Sequence, residues 1–466
     1  MTLTPNSGRR GCRDWHRTRS GLTSPGNGDI IPVPAEALEV GLAEFARSGG
    51  LTRRDALAGG VGLMVGAMGL PGLSTRRMLE AASAAAADAP NAKTLVLIYQ
   101  DGGNDGLNTL VPLADPRYRE LRKRIGIAPE KTLSLAGVKE FGWHPALGGL
   151  KRLYDAGKVA VLPSVDFANP DQSHFNSQAY WKTGIVGPAP DRTGWLGRAL
   201  DVIGTPDNPL QGISVTYGFD PVLRSKRAPV ATVYDPSGFG FYLPDVYDTK
   251  VMTQAYRDIA ARAGSPAMRA AQDAYANSIR ILDRIKPLQV DEKDLPPPPK
   301  PYADSELGKS LRQLARMLHA GFGTRVATLN AGGGYDTHDS QPEKHTELLT
   351  DLGTSLEAWQ ADLEARGIAD RVLTMVWSEF GRRPEDNESN GTDHGAGGLV
   401  LIVGNGANGG IQSEFPGLGR LDEDDNLLVS TEFRTVYATL LEQWLGIEAG
   451  KVLPGVDAKR LPIIKA

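Results

Sequence analysis

Residues 94–99, TLVLIY, make a short and almost wholly apolar run that climbs to Asp101 and stops in the glycine-rich turn DGGNDG. A run of this length and composition, bounded by turn residues, is the pattern of a strand buried on both faces, and such strands belong to parallel sheets. In an open α/β sheet, ligands gather at the carboxyl ends of the strands. Asp101 is expected at that edge, with Gly102 and Gly103 letting the backbone approach whatever the carboxylate holds. Taken alone, the segment also reads as a strand closed by an Asp/Gly turn. Chemistry requires partners from distant segments.

The rhythm that follows supports the sheet. Residues 145–156 carry Leu147, Leu150, Leu153 and Tyr154 at helical spacing, and 159–162 form a short apolar run. Strand, helix and strand in that order predict a βαβ unit. Further strands are expected at 325–329, 371–377 and 399–403. Helices are expected at 172–183 (beginning near Ser173), 195–202, 251–285, 345–365 and 431–445. Ser305 predicts the cap of a helix running to 320, with Leu311, Leu314, Ala315 and Leu318 inward. Residues 204–247, rich in Gly, Pro, Asp and aromatics, are expected to be irregular with short strands. The segment LPPPPKP at 295–301 cannot be helix or central strand and reads as a surface connector. The sum is an α/β fold, a three-layer α/β/α sandwich with a mainly parallel sheet. It forms a single domain over 91–466, with 204–320 as an insertion of irregular and helical segments.

The N-terminal 90 residues have a different character. Residues 1–50 are rich in Gly, Pro, Ser and Arg without apolar periodicity, which predicts a disordered leader. Then Arg53-Arg54 precede an uncharged, glycine-rich run from 56 to 73 and an alanine tract from 81 to 87. Paired arginines, a modestly apolar segment and small residues are the pattern of a twin-arginine export signal over 51–90, cleaved near 85–88. Ala56 stands where Phe or Leu is usual. The glycines make the run a poor membrane anchor, and no later segment is apolar enough to span a bilayer. The expectation is a periplasmic or secreted protein with no stable membrane span after cleavage. The single cysteine, Cys12, lies in the leader, so the body has no disulfide, zinc–thiolate site or cysteine nucleophile. A net charge of −4, with no basic block beyond the leader, argues against nucleic acid as a partner.

Three more loops beside expected strands carry reactive residues. The strand ending at Leu329 runs into NAGGGYDTHD, which holds Asp336 and His338. The strand ending at Trp377 runs into Ser378-Glu379-Phe380-Gly381-Arg382-Arg383, and Asp393-His394 precede the strand at Leu399. Imidazole and carboxylate are the ligands left to a divalent ion when thiols are absent. Each pair also reads as an ordinary loop turn with a solvated carboxylate. His174, His338 and His394 lie in candidate sheet-edge loops. His319, beside Leu318, reads as structural; His345 reads as surface or supporting; His144 is undecided. Ser173, at an expected helix N-terminus, is a candidate nucleophile or an N-cap. Arg382 and Arg383 are candidates for clamping an oxyanion, or for facing solvent. G-x-S-x-G, G-x-x-x-x-G-K-[ST] and H-E-x-x-H are absent.

Together, TRRDAL, IYQDGGNDGLNTLVP, HPAL, SHFNSQAYWKTG, GWLGR, YDTHDSQ, SEFGRRPEDNESNGTDHG and FRTVYATLLEQWLG resemble the bacterial family of domain of unknown function 1501. That resemblance implies export, usually by the twin-arginine route, and no settled reaction. More distantly, the landmarks are similar to the alkaline phosphatase and sulfatase superfamily. This likeness implies an alkaline-phosphatase-like fold with Asp101 as a metal ligand and Ser173 as nucleophile. Asp336, His338, Asp393 and His394 would complete the metal residues, with Glu379 and Arg382 assisting catalysis. The implied cofactor is a divalent ion, whether zinc, magnesium, manganese or calcium, and the implied substrate a small anionic ester. Where the superfamily has Asp-His, this chain has Glu379-Phe380, and phenylalanine cannot ligate. A formylglycine sulfatase is excluded because the body has no cysteine and no S-x-P-x-R. The expected function is an exported metal-dependent hydrolase of phosphate- or sulfate-type esters. The alternative is a non-catalytic exported binding or assembly protein that keeps the fold, its protein partner unknown.

Overall fold

Every residue of the run at 94–99 is buried, and it forms the middle of the main sheet. The computed structural model describes residues 92–189, 191–236, 251, 254, 255, 257, 258, 266–290, 294–456 and 459–465. The expected leader, the export signal and Cys12 lie outside the described residues.

The strands are β1 (Thr94–Tyr99), β2 (Leu110–Pro112), β3 (Leu133–Leu135), β4 (Val138–Trp143), β5 (Val159–Asp166), β6 (Gly212–Ser214), β7 (Ala231–Thr232), β8 (Val326–Asn330), β9 (Val372–Trp377), β10 (Gly398–Val403), β11 (Gly410–Ile411) and β12 (Thr431–Glu432). The main sheet has the order β11-β5-β10-β9-β1-β8-β6-β7, with β12 also paired to β5. Its pairings are parallel except at β10, which runs against both β5 and β9. The strands β2, β4 and β3 form a small antiparallel sheet.

The helices are α1 (Gly106–Thr109), α2 (Pro116–Leu121), α3 (Gly148–Asp155), α4 (His174–Thr183), α5 (Trp195–Ile203), α6 (Pro266–Ile285), α7 (Glu306–His319), α8 (Gln341–Ala365) and α9 (Phe433–Thr439). Of these, α3, α7 and α8 cover one face of the main sheet and α5 and α9 the other. Val96 and Ile98 of β1 pack into one core with Leu150 of α3, Leu311 and Leu314 of α7, and Leu352 and Trp359 of α8. Leu95 and Leu97 point the other way, into a core with Leu196 and Leu200 of α5 and Val436 and Tyr437 of α9. This alternation is the period-two consequence of a strand's pleat, and it makes the three layers. Each such side chain, fully buried, stabilises the fold by ~1.5–3 kcal/mol.

Ser305 caps α7 as expected, its Oγ accepting from the N–H of Gly308 at 3.0 Å. Other elements differ from expectation. The α8 helix starts at Gln341, a turn before His345, because Pro342 is tolerated in a first turn where its missing N–H costs nothing. Residues 431–445 divide into β12, α9 and a π-helical turn at Leu440–Leu445. The α6 helix is described from Pro266; residues 252, 253, 256 and 259–265 of the expected helix, and 237–247 of the expected irregular stretch, lie outside the described residues. The stretch 204–320 is not wholly an insertion, since β6 and β7 extend the main sheet beyond β8. Among the described residues, no helix is long and apolar enough to cross a membrane.

Topology brings the reactive loops together. The carboxyl ends of β1, β5, β8 and β9 share one edge of the sheet. Because β10 is reversed, the loop that enters it lies on that same edge. Residues 100–105, 167–173, 331–340, 378–383 and 392–397 therefore meet there.

Candidate metal centre

The glycine turn after β1 holds a carboxylate. Gly102 and Gly103 have φ of +115° and +77°. A Cβ on Gly102 would meet the Asp336 backbone nitrogen at 2.4 Å, and one on Gly103 would meet the Phe380 ring at 2.3 Å. Only glycine fits both the conformation and the space. The turn's amides donate to Glu379, Gly102 N–H to Oε1 and Gly103 N–H to Oε2, each at 3.0 Å. The Ser378 hydroxyl lies 3.0 Å from the same Oε2, and its Oγ accepts from Asn104 N–H at 2.9 Å. Glu379 Oε1 takes the Nδ1–H of His174 at 2.7 Å. Burial alone would raise the Glu379 carboxyl, but His174 and the amide donors keep it below its ordinary value.

Asp336 is the hub of the cluster. Its Oδ1 lies 2.6 Å from Arg382 Nη2, 3.0 Å from His338 Nε2 and 3.1 Å from His394 Nε2. Its Oδ2 is 3.7 Å from His174 Nε2. The Nε2 atoms of His338 and His394 are 2.9 Å apart. Each imidazole is held from behind by an oxygen. His174 Nδ1 faces Glu379, His338 Nδ1 faces Asp393 Oδ1 at 3.0 Å, and His394 Nδ1 faces the Gln172 carbonyl at 3.0 Å. An acceptor at Nδ1 places the hydrogen there, so a neutral ring presents a bare Nε2 to Asp336. That arrangement is how metal-ligating histidines are oriented. His174, Asp336 and His394 each offer a ligand atom, all within 4.8 Å of one another, and could hold a metal ion.

The electrostatics fit a cationic occupant. Burial would raise the Asp336 carboxyl, but the surrounding imidazoles, whenever they carry a proton, and the Arg382 charge hold it far below the carboxylate range. Burial would lower His174, yet Asp336 and Glu379 on its two sides raise it to about 9. Between these carboxylates a positive charge is favoured, and a bound cation would take the proton's place.

Several expected roles change. Arg382 is buried, and its guanidinium donates to the Gly103 carbonyl (2.7 Å), the Thr392 carbonyl (2.8 Å), the Gly102 and Tyr335 carbonyls, and Asp336. With its donors engaged inside the protein it braces Asp336 and cannot clamp a substrate. Asp101 lies outside the trio, because its Oδ1 receives the Tyr99 hydroxyl and Gln178 Nε2, each at 3.2 Å, on the side of β1 and α4. Asp393 backs His338 and is not itself in the trio; the His338 hydrogen bond holds its carboxyl at about 2. Glu379 is likewise a support, with both oxygens taken. Ser173 keeps its expected place at the start of α4, its Oγ accepting from Asn176 N–H at 3.5 Å. Phe380 is fully buried, its ring centroid 4.9 Å from that of His174 and 4.8 Å from that of His394, and forms an apolar wall.

The structure thus brings together Asp336, His338 and His394, with Asp393 and Glu379 behind them. It adds His174, which sequence reasoning singled out as a loop histidine without assigning it a ligand role. Its signal was adjacency to the helix-capping Ser173. Gln172, whose carbonyl faces His394 Nδ1, carried no sequence signal for that role. Of the other histidines, His319 is exposed at the end of α7, not structural. His144 and His345 are buried edge to face, 5.6 Å between centroids, and His345 Nε2–H donates to Asn104 Oδ1 at 2.9 Å.

Residues 162–462 match the family described as Protein of unknown function (DUF1501). No curated protein matches the chain. Among solved structures, the chain is similar to the phosphonate monoester hydrolase of Silicibacter pomeroyi, at 14% identity over 79% of this chain and 75% of that one, with a TM-score of 0.33. A sulfatase from Pseudoalteromonas sp. shares 10% identity over 83% and 75% of the two chains, with a TM-score of 0.32. Alkaline phosphatase from the Antarctic bacterium TAB5 shares 12% identity over 67% and 92%, with a TM-score of 0.27.

Proposed function

The chain belongs to the DUF1501 family, and within it we propose a metal-dependent hydrolase of phosphate- or sulfate-type esters, exported by the twin-arginine route and acting in the periplasm or beyond it. The observation that carries this reading is the set of three imidazoles, each fixed at Nδ1 by an oxygen and turned through Nε2 toward Asp336. Asp336, His174, His338 and His394 would hold the ion, His174 on the side of the second Asp336 oxygen. A set this rich in imidazole favours zinc over magnesium or calcium, which prefer all-oxygen sites. When bound there, such an ion would supply Lewis acidity for an anionic ester.

The chain's own residues do the rest. Glu379 orients His174, Asp393 orients His338, and Arg382 fixes Asp336 against the glycine turn. Phe380 keeps water from the back of the imidazoles. Ser173, one residue from His174 at the start of α4, is the attacking hydroxyl, in a place where helix N–H groups favour an anion.

The test pairs metal analysis of the purified protein with hydrolysis of aryl phosphates and aryl sulfates. Bound zinc, with turnover that Ser173→Ala abolishes, is the expected result. No metal and no turnover would sink the proposal. One observation favours the second reading, a non-catalytic binding or assembly protein: three histidines and one aspartate make a complete four-ligand set, as in closed structural sites. Zinc bound stoichiometrically without turnover on any ester would select it.

A further inference from the structure

We infer that Asn387 is a positioning residue for the ion centre, acting on His338 through Asp393. This rests on the reading of the cluster as an ion centre. Asn387 lies in the loop between β9 and β10, and the two halves of its amide have different partners. Its Oδ1 accepts from the N–H groups of Ser389 (2.9 Å) and Gly391 (3.0 Å), which shapes the turn. Its Nδ2 donates out of the turn, to the His338 carbonyl at 2.9 Å and to Asp393 Oδ1 at 3.2 Å. With two donors facing Oδ1 and two acceptors facing Nδ2, the amide fits in one orientation only.

The loop is pressed onto His338. A Cβ on Gly391 would meet the His338 carbonyl carbon and oxygen at 2.3 Å. Asp393 Oδ1 therefore receives two donors, His338 Nδ1–H and Asn387 Nδ2–H.

The need for that second donor follows from exposure. The acceptors behind the other imidazoles are fixed: Glu379 is fully buried and the oxygen behind His394 is a main-chain carbonyl. The Asp393 side chain is 57% exposed. A carboxylate so placed turns readily to water, and His338 then loses the contact that sets its tautomer and aim. The Asn387 amide holds Asp393 in place, and Asp393 in turn directs the bare Nε2 of His338 at Asp336. Removing an outer partner of a ligating histidine typically weakens metal binding by roughly 10–100-fold.

The two halves of the amide can be separated by substitution. Asn387→Asp keeps an oxygen for the Ser389 and Gly391 amides and replaces the NH2 donor with an oxygen that faces the His338 carbonyl and Asp393. The full-length protein, stripped by chelator, is titrated with Zn2+ against a competing indicator. The visible spectrum of the Co2+-loaded protein and the melting temperature of the stripped protein are recorded alongside. Asn387→Asp is expected to weaken Zn2+ binding roughly 10–100-fold and to change the Co2+ spectrum, while the stripped protein still unfolds cooperatively. Asn387→Ser, which adds no charge, is expected to weaken binding too while the stripped protein melts close to the parent. Asp393→Ala is expected to weaken binding to a similar degree. Adding Asn387→Asp to Asp393→Ala should weaken it no further, because both act on one contact.

An Asn387→Asp protein that binds Zn2+ as the parent does would overturn the inference and leave Asn387 a turn-former. Additive effects in the double variant would overturn it as well. If Asn387→Asp alone does not fold, Asn387→Ser enters the same cycle, its hydroxyl capping the turn without reaching Asp393. A parent protein that takes up no Zn2+ would instead overturn the ion-centre reading itself.

Discussion

His338 Nε2 and His394 Nε2 stand 2.9 Å apart, and the far nitrogen of each ring is held by an oxygen acceptor. Two bare lone pairs at that separation repel unless a cation or a proton lies between them. Zinc titration of chelator-treated protein is expected to show tight uptake, and His338→Ala or His394→Ala to weaken it at least tenfold. The zinc-loaded protein should also be more stable than the stripped protein, by ~4 kcal/mol at a thousandfold excess of zinc over Kd, and so melt at a higher temperature. Equal melting temperatures with and without zinc would refute binding to the folded state.

Arg382 should matter for stability before it matters for turnover. Arg382→Met leaves buried Asp336 without its cationic neighbour, and leaves several carbonyls without their donor. Breaking a buried pair in this way costs about 3–5 kcal/mol. Urea unfolding measures it, and a variant as stable as the parent would contradict the bracing role.

At Gly103 the constraint is both conformational and spatial. Gly103→Ala forces a side chain into φ +77° and against the Phe380 ring, for an expected loss of about 1–3 kcal/mol. Phe380→Ala in the same chain removes the clash but not the strain, so the combined loss should fall short of the sum of the two single losses. Strict additivity in urea unfolding would show that the ring does not press on the turn.

Acid should weaken the fold in two stages. Burial lowers His144 to about 4 and His345 to about 3. Their neutral forms belong to the folded state, so the associated stability is complete above about pH 6.5, the ordinary histidine value, and is lost as pH falls toward 4 and then 3. Each histidine contributes a slope of at most about 1.4 kcal/mol per pH unit. Asp105 follows at lower pH: burial would raise its carboxyl, but the buried Arg122 pair outweighs this and lowers it to about 2. That contribution is complete above about pH 4, the ordinary aspartate value, and disappears as pH falls through 2. Unfolding free energies measured from pH 7 to pH 2 should show the first slope flattened in His345→Gln. An unchanged slope would mean that His345 is not buried neutral.

The sheet was largely legible before folding. Apolar runs at 94–99, 371–377 and 399–403 became β1, β9 and β10 to within a residue or so, because burial on both faces leaves an uninterrupted apolar signature. The Ser305 cap and the inward face of α7 followed from equally local rules. The reversal of β10 was not legible, since an apolar strand reads the same in either direction. Yet that reversal delivers Asp393 and His394 to the working edge.

Within the site, the residue types and their loops could be read from the chain, and their roles could not. Asp336, His338 and His394 were expected together and do meet. Asp101, equally polar and equally placed after a strand, turns to Tyr99 and Gln178 instead. Glu379 and Arg382 became supports because the partners they touch, Gly102 and Gly103, lie some 280 residues earlier in the chain. The sequence by itself determined which segments are buried, where they turn, and which reactive groups stand at the turns, since these follow from solvation and short-range backbone geometry. Only the tertiary structure decided which way each reactive side chain points, because that direction is set by hydrogen bonds between segments that become neighbours only when the sheet closes.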